Sequence, residues 1–369
     1  MSKLPDPDTP ANKPATKDSK TLWINSPALE RFTKEAFQAA GLPEEDAARV
    51  AKLMGEADLQ GSDGHGIIRL APYIRRIRSG GINVQPNIKV VHERAAMAVV
   101  DGDNGMGHLV VSRAVELAIA KARECGVAWV GTRASNHAGP ASLYARMPIQ
   151  HNMIGLYFAV GNANHLPPWG GMDMLLSTNP IAAGIPAGDE PAVVLDMATT
   201  VAAYGKIKAK AKRGEPLPEG WMIDRQGKPL TDSSRSHEGF LLPIGGHKGY
   251  GLALIVGLLA GTLQGAAMGR DVVDFNADFT TPTNTGQAIL VIDLEAFGGA
   301  GPFKDAVDTL VRDIRSSERL PNVDRIWLPG EQSHQRRSDY AKRGVPLPEA
   351  LVHELDELAN QLSIRPLDR

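Results

Sequence analysis

The run 250–269, YGLALIVGLLAGTLQGAAMG, holds no charged residue over twenty positions. A segment of that length and character either spans a bilayer or is enclosed by the rest of its own protein. Its five glycines, together with Thr262 and Gln264, favour enclosure, because small residues let neighbouring backbone come close. No second segment of this kind exists in the chain. The expectation is therefore a core helix, with other elements packed all round it. A chain of 369 residues has enough material for that, in two or three lobes rather than one core.

The flanking sequence supplies the layers. SPALERFTKEAFQAAGLPEEDAARVAKLMGEADLQG reads as two helices split at Gly-Leu-Pro, with Ser26 capping the first and Pro43 opening the second. SDGHG is a turn into a short helix. KVVHERAAMAVVDGDNGMGH is a β-hairpin closed by a glycine turn, and SRAVELAIAKARECG is an amphipathic helix. VAWVGTRAS, MIGLYFAV, AVVLDM and QAILVID are strands, and DAVDTLVRDIRSSERL and PEALVHELDELANQLSI are helices. This alternation predicts an α/β core. AKRGEPLPE at Ala211 recurs as AKRGVPLPE at Ala341, but the flanks differ, so two similar turns are expected rather than a duplicated domain. The start, MSKLPDPDTPANKPATKDSK, has no apolar core of a secretory signal and reads as a disordered tail over 1–22.

Charge and cysteine content narrow the function. A formal charge of −2 lacks the basic footprint of a nucleic-acid binder. Cys125 is the single cysteine, which rules out an internal disulfide and suits a reducing compartment.

The chemistry-bearing residues lie in four short stretches. In SDGHGIIRLAPY, His65, Arg69 and Tyr73 are spaced to share one helical face, with Ser62 or Asp63 available as a cap. A guanidinium can hold a carboxylate through two parallel hydrogen bonds while an imidazole passes a proton. The pair alone is equally compatible with one buried histidine and one surface arginine. In SNHAGPASLYA, His137 ends a strand and enters a Gly-Pro loop, where α/β sheets place ligands but where solvated histidines are also common. Asp196 in VVLDMATT either caps a helix, meets a cofactor ribose or orients a histidine. GGHKGYGLAL opens a helix with glycines and suits an anion, but GK[ST] is missing and no GxGxxG occurs anywhere. Asp63, His65, His137, His151 and His165 are a candidate metal set without HExxH or paired-cysteine spacing. There is no GxSxG elbow.

HGIIRLAPY, SNHAG, PWGG, STNPIA, VVLDMATT, GKI, RGEPLPEGW, GGHKGYGLAL and PGE follow one another between Ser26 and Glu331. In that order they resemble the type 2 malate/L-lactate dehydrogenase family. The group includes L-sulfolactate, ureidoglycolate and diketogulonate-type dehydrogenases and piperideine-2-carboxylate reductases. The resemblance implies a mixed α/β (α+β) chain with the L-sulfolactate dehydrogenase-like fold and a non-Rossmann NAD(P)-binding domain, in keeping with the missing glycine fingerprint. It implies a first segment over 23–100 carrying His65 and Arg69, an NAD(P)-binding domain over 101–300, and a C-terminal segment over 301–369 returning to the first lobe. It also implies a homodimer, NAD or NADP as cofactor, and a small carboxylate substrate.

Carried over by position, the resemblance makes His65 or His137 the proton donor or acceptor, with Asp196 a partner for a catalytic histidine. Arg69 becomes the carboxylate arginine, Tyr73 joins it at the substrate, and Thr178 falls in a substrate-contacting turn. His137, Asn162, Asp196, Met197, Ala198, Lys248, Pro329, Gly330 and Glu331 become cofactor contacts. Two positions depart from the family. Gly64 stands where a serine usually relays charge to the histidine, and VGNANHLPPWGG, with Asn162 and Asn164, replaces a TNxSP-like loop.

The expected function is NAD(P)-dependent hydride transfer between 2-hydroxy and 2-oxo carboxylates in the cytoplasm, with no resident metal, nucleic acid or membrane partner. Reduction of cyclic 2-imino acids, or an activity altered by Gly64, is the alternative. A metal-dependent hydrolase is the third reading.

Overall fold

The computed structural model describes residues 21–62 and 64–368. The expected tail lies outside these residues up to position 20, as does Asp63. Thr21 and Leu22, assigned to the tail from sequence, belong instead to strand β1 (Thr21–Ile24).

Helix α1 (Ser26–Ala39) is capped by Asn25, whose Oδ1 accepts from the Ala28 amide at 2.8 Å. Ser26, the cap expected from sequence, is the first helical residue instead, one position late. Helix α2 (Glu44–Leu59) starts after Pro43 with Glu44, Glu45 and Asp46 in its first turn, where carboxylates oppose the positive end of the helix dipole. A 3₁₀ turn over Ile67–Arg69 leads into α3 (Leu70–Arg78). The hairpin of β2 (Lys89–Arg94) and β3 (Met97–Asp101) follows, then α4 (Gly107–Cys125), which stops at Gly126 with φ +79°. Next come β4 (Val127–Ser135), α5 (Ser142–Arg146), β5 (Met153–Ala159), β6 (Ile181–Ile185), β7 (Val193–Met197) and α6 (Tyr204–Lys212). The small pair β8 (Met222–Ile223) and β9 (Phe240–Leu241) precedes α7 (His247–Ala260). The chain ends through β10 (Thr285–Asp293), α8 (Ala300–Ser316), α9 (Glu331–Arg343), β11 (Val345–Pro348) and α10 (Glu349–Leu362).

Seven strands form one sheet in the order β2-β3-β4-β10-β5-β6-β7. The class is mixed α/β, as the resemblance implied. The sheet is nevertheless mainly antiparallel: β3 and β4 alone run parallel, joined across α4. A parallel neighbour needs a long crossover, and α4 is the one helix that supplies it. Strand β10, late in the chain, inserts between β4 and β5 and is buried along most of its length. Strand β11 pairs with β1, and the core around α1, α2 and α3 is completed by residues of α10. A second core lies between the sheet and helices α4 and α5.

Helix α7 corrects the expectation drawn from its uncharged sequence. Gly249, Ala253, Val256, Gly257 and Ala260 face inward, but Ile255 is 53% exposed and Leu252 and Leu258 are also open. The inward face needs glycine at Gly249, where a Cβ would run into the Ile244 carbonyl oxygen. Among the described residues, no helix is long and apolar enough to cross a membrane.

Candidate active site

The site begins at the turn between α2 and α3. Asp58, near the end of α2, accepts the Ile67 amide through Oδ2 at 2.9 Å, and its carboxylate occupies the space beside Gly66. A Cβ on Gly66 would lie 1.7 Å from Asp58 Oδ1, so no other residue fits there. Gly66 has φ −89° and ψ −138°, which breaks the helix before it starts. His65 therefore stands in the turn, its amide bonded to the Ser62 carbonyl at 2.8 Å, and does not share a helix with Arg69 and Tyr73. Gly66 holds the N-cap position and the Ile67 amide goes to Asp58, so Ser62 does not act as the expected cap.

Two distant segments close on that turn. The start of α4 packs against the loop after β4: a Cβ on Gly107 would meet the Asn136 carbonyl oxygen at 2.1 Å. This brings His108 beside His137. From the other side comes the segment before β10, with Phe275 and Asn276. Buried Arg76 on α3 holds this segment by donating to the Asp278 and Thr281 carbonyls.

The rings form one cluster. His65 and His137 stack with centroids 5.3 Å apart and planes 13° from parallel. The Tyr73 hydroxyl bonds His137 Nδ1. His108 lies edge-on to Tyr73 at 5.6 Å, and Phe275 touches both Tyr73 and His137, at 5.5 and 5.6 Å. Arg69 borders the cluster, donating Nε to the Gly64 carbonyl at 2.7 Å and Nη1 to Asn276 Oδ1 at 3.0 Å. Both acceptors are neutral, which leaves the guanidinium charge available to an anion.

Burial, and then the nearby Arg69 charge, hold His65 down at about 4. Burial, with His65 close by, takes His108 to about 3. His137 is also held well below the usual histidine range, first by burial and then by His65, Arg69 and His108. All three imidazoles are therefore neutral at pH 7. Burial raises the Tyr73 phenol well above its ordinary value, so it keeps its proton.

The remaining expected site residues lie at the strand ends. Asn162 donates Nδ2 to Thr285 Oγ1 at 3.0 Å, and its carbonyl accepts the Phe275 amide at 2.9 Å. The Thr178 carbonyl accepts both the amide and the hydroxyl of Thr199. Asp196, followed by Met197 and Ala198 at the end of β7, accepts the Ser142 amide at 2.8 Å. Among the described residues it makes no hydrogen bond to either histidine: the partners of His137 Nδ1 are Tyr73 and Gly139, and His65 Nδ1 has none. Lys248 borders a shallow cleft with Ile244, Gly245, Gly249 and Leu252. The Pro329 carbonyl accepts the Val194 amide at 3.0 Å, and Gly330, at φ +83°, packs on Val194.

The Glu331 side chain is engaged within the protein. It is 7% exposed, and its carboxylate is taken by Arg315 at 3.1 Å, by Arg325 and by the Leu328 amide. The candidate metal set is also dispersed: His151 pairs with Arg123, and His165 stacks on Tyr204 at 3.9 Å. Among the described residues, no group of three or more His, Cys, Asp or Glu is arranged to hold a metal ion. His108, Phe275 and Asn276 were not found from sequence. His108 had a local signal, a glycine turn opening a helix, whereas the other two lie about 200 residues from Tyr73 with none.

A mixed sheet without a glycine fingerprint, carrying an arginine beside buried neutral imidazoles, defines an enzyme class when taken with its relatives: oxidoreductases acting on the CH–OH group of hydroxy acids. The chain belongs to the malate/L-lactate dehydrogenase family, whose model matches residues 24–356. It is 36% identical over 359 residues to a malate dehydrogenase of Pyrococcus horikoshii, covering 95% of this chain and 98% of that protein. It is 39% identical over 330 residues to an L-sulfolactate dehydrogenase of Methanocaldococcus jannaschii, covering 89% and 94%. Its structure is similar to that of a delta1-piperideine-2-carboxylate reductase from Pseudomonas syringae, with TM-score 0.81 and 29% identity over 92% of this chain and 100% of that one.

Proposed function

We propose that this chain uses NAD or NADP to interconvert a small 2-hydroxy carboxylate and its 2-oxo acid. The observation that supports this most directly is Arg69, charged and held by neutral acceptors, beside the stacked pair His65 and His137. Arg69 keeps both Nη2 hydrogens and one on Nη1, enough to grip a carboxylate with two parallel bonds. That grip sets C2 and its oxygen next to the imidazoles. A bound nicotinamide supplies or accepts the hydride. His65 moves the proton: neutral, it takes one from the 2-hydroxyl in oxidation, and once protonated it returns one in reduction.

The chain's own residues fit such a cofactor. Gly245 and Gly246 have φ +58° and +64°, and space is open where a Gly245 Cβ would stand. They precede the fourteen-residue α7, whose first amides and Lys248 suit a diphosphate. Asn162, Thr178 and the stretch Asp196–Met197–Ala198 bring polar groups to the ends of the strands. Pro329 and Gly330 brace β7.

The exposed face of α7 supports a homodimer, because Leu252, Ile255 and Leu258 would lose water against a second copy. A lone exposed thiol, Cys125, fits the reducing cytoplasm.

One observation favours the imino-acid alternative. His65 Nδ1 is buried with no hydrogen-bond partner, and Gly64 beside it has nothing within 4 Å of a would-be Cβ. A serine would fit there, yet the hydroxyl is missing. Following NADH and NADPH absorbance against a panel of 2-oxo acids and cyclic imines tests both readings. Turnover of 2-oxo acids supports the first and turnover of imines alone the second. No turnover with either class refutes both.

A further inference from the structure

We infer that the two stacked histidines have different jobs: His137 is a fixed hydrogen-bond donor to the reacting oxygen, and His65 alone carries the transferred proton. This rests on the dehydrogenase reading above and assigns roles within it.

The tautomer of His137 follows from its surroundings. Gly139 directs its backbone N–H at His137 Nδ1 at 3.4 Å, and the Tyr73 hydroxyl bonds the same nitrogen. A backbone amide cannot accept, so Nδ1 holds a lone pair and the ring proton sits on Nε2. His137 is half-buried, and Nε2 lies across the ring from the Nδ1 that Tyr73 and Gly139 occupy.

Proton transfer through His137 meets an obstacle in each direction. Losing the Nε2 proton would require Tyr73 to refill Nδ1 and become a buried phenolate, and burial opposes that. Gaining a proton would make a cation among His65, His108 and Arg69, with no carboxylate among the described residues in its hydrogen-bond shell.

His65 lacks these restraints. Its Nδ1 has no partner, so nothing pins its tautomer, and the ring is half-buried, not fully enclosed as that of His108 is. His108 has both ring nitrogens buried and unpartnered. Hydroxy-acid oxidation then balances as follows. The O–H bond breaks and its proton goes to His65 Nε2. The C2–H pair departs as hydride to the oxidised nicotinamide, and the oxygen pair forms the C=O bond. His137 Nε2–H bonds that oxygen before and after, giving up no proton.

The test has two arms. In ¹⁵N-histidine-labelled full-length protein without cofactor, the His137 signals, identified by their loss in His137→Gln, should show a protonated Nε2 and a bare Nδ1 from pH 5 to 8. In kinetics, His137→Gln keeps a donor that cannot shuttle protons, so kcat should fall no more than about tenfold with the acidic limb of the pH profile intact. His65→Gln should lose about a hundredfold or more and abolish that limb. The inference is overturned if His137 is protonated on Nδ1 or titrates in that range. It is equally overturned if His137→Gln loses as much as His65→Gln, or if His65→Gln stays active. Should wild-type protein turn over no substrate of the panel, the dehydrogenase reading fails, while the ¹⁵N arm still decides the tautomer.

Discussion

His108 offers a quantitative test of how the site is built. It is fully buried, both ring nitrogens lack partners, and its folded value is about 3. In the unfolded chain a histidine titrates near 6.5. Between those values the unfolded state binds a proton that the folded state refuses, so unfolding becomes easier as pH falls. Stability tied to this group is fully present above about 6.5 and drains away on acidification towards about 3. The slope is about 1.4 kcal/mol per pH unit for each such histidine. His65, held at about 4, adds a slightly smaller slope, so the two together cost about 2.4 kcal/mol from about pH 5.5 to 4.5. His137 and His165 are shifted the same way and steepen it further. Carboxylates begin to titrate towards the lower end of that interval as well, and comparison with a single-histidine variant cancels their contribution. Urea unfolding at both pH values, wild type against His108→Leu, isolates one contribution. The variant's pH slope should be smaller by about 1.4 kcal/mol, whatever its stability at pH 7. An unchanged slope, or wild-type protein that gains stability on acidification, would refute the claim that these rings are buried neutral.

Other consequences are equally direct. Arg69→Lys keeps the charge but loses the fork, so kcat/KM with a 2-oxo acid should drop at least tenfold, about 1.4 kcal/mol; wild-type kinetics would remove Arg69 from the site. Gly64→Ser fits the open space at that position, so the fold should survive. A large rise in 2-oxo-acid reduction would then indicate that the natural substrate lies outside that class, and unchanged rates would deny Gly64 any part in the relay. Gly66→Ala drives a methyl into Asp58 and should cost several kcal/mol or leave the protein insoluble; a melting temperature within 2 °C of wild type would contradict the turn geometry described.

How much could be anticipated depended on how far apart the interacting groups lie in the chain. Helices α1, α2, α4, α8 and α10 carry their own periodicity and stops, and were expected from sequence. Strand β6 and helices α6 and α9 were not. IAAGI is too short and small to show a strand pattern, and EQSHQRRSDYAKR is too polar to show an apolar face. His65, Arg69, Tyr73 and His137 stood out because each sits in a compact motif of unusual residue types. Glu331 stood out for the same reason, but its ion pairs with Arg315 and Arg325 show only in the fold.

The order of residues carries the chemical inventory: a guanidinium, imidazoles, glycine turns, and a family signature with Gly64 out of pattern. Tertiary structure alone decided how that inventory is used. It placed β10 between β4 and β5, brought His108, Phe275 and Asn276 to residues far away in the chain, left one side of α7 uncovered, and turned His137 Nδ1 towards Tyr73. The physical reason is that hydrogen-bond partners and burial set protonation, tautomer and charge, and both depend on which segments meet in space.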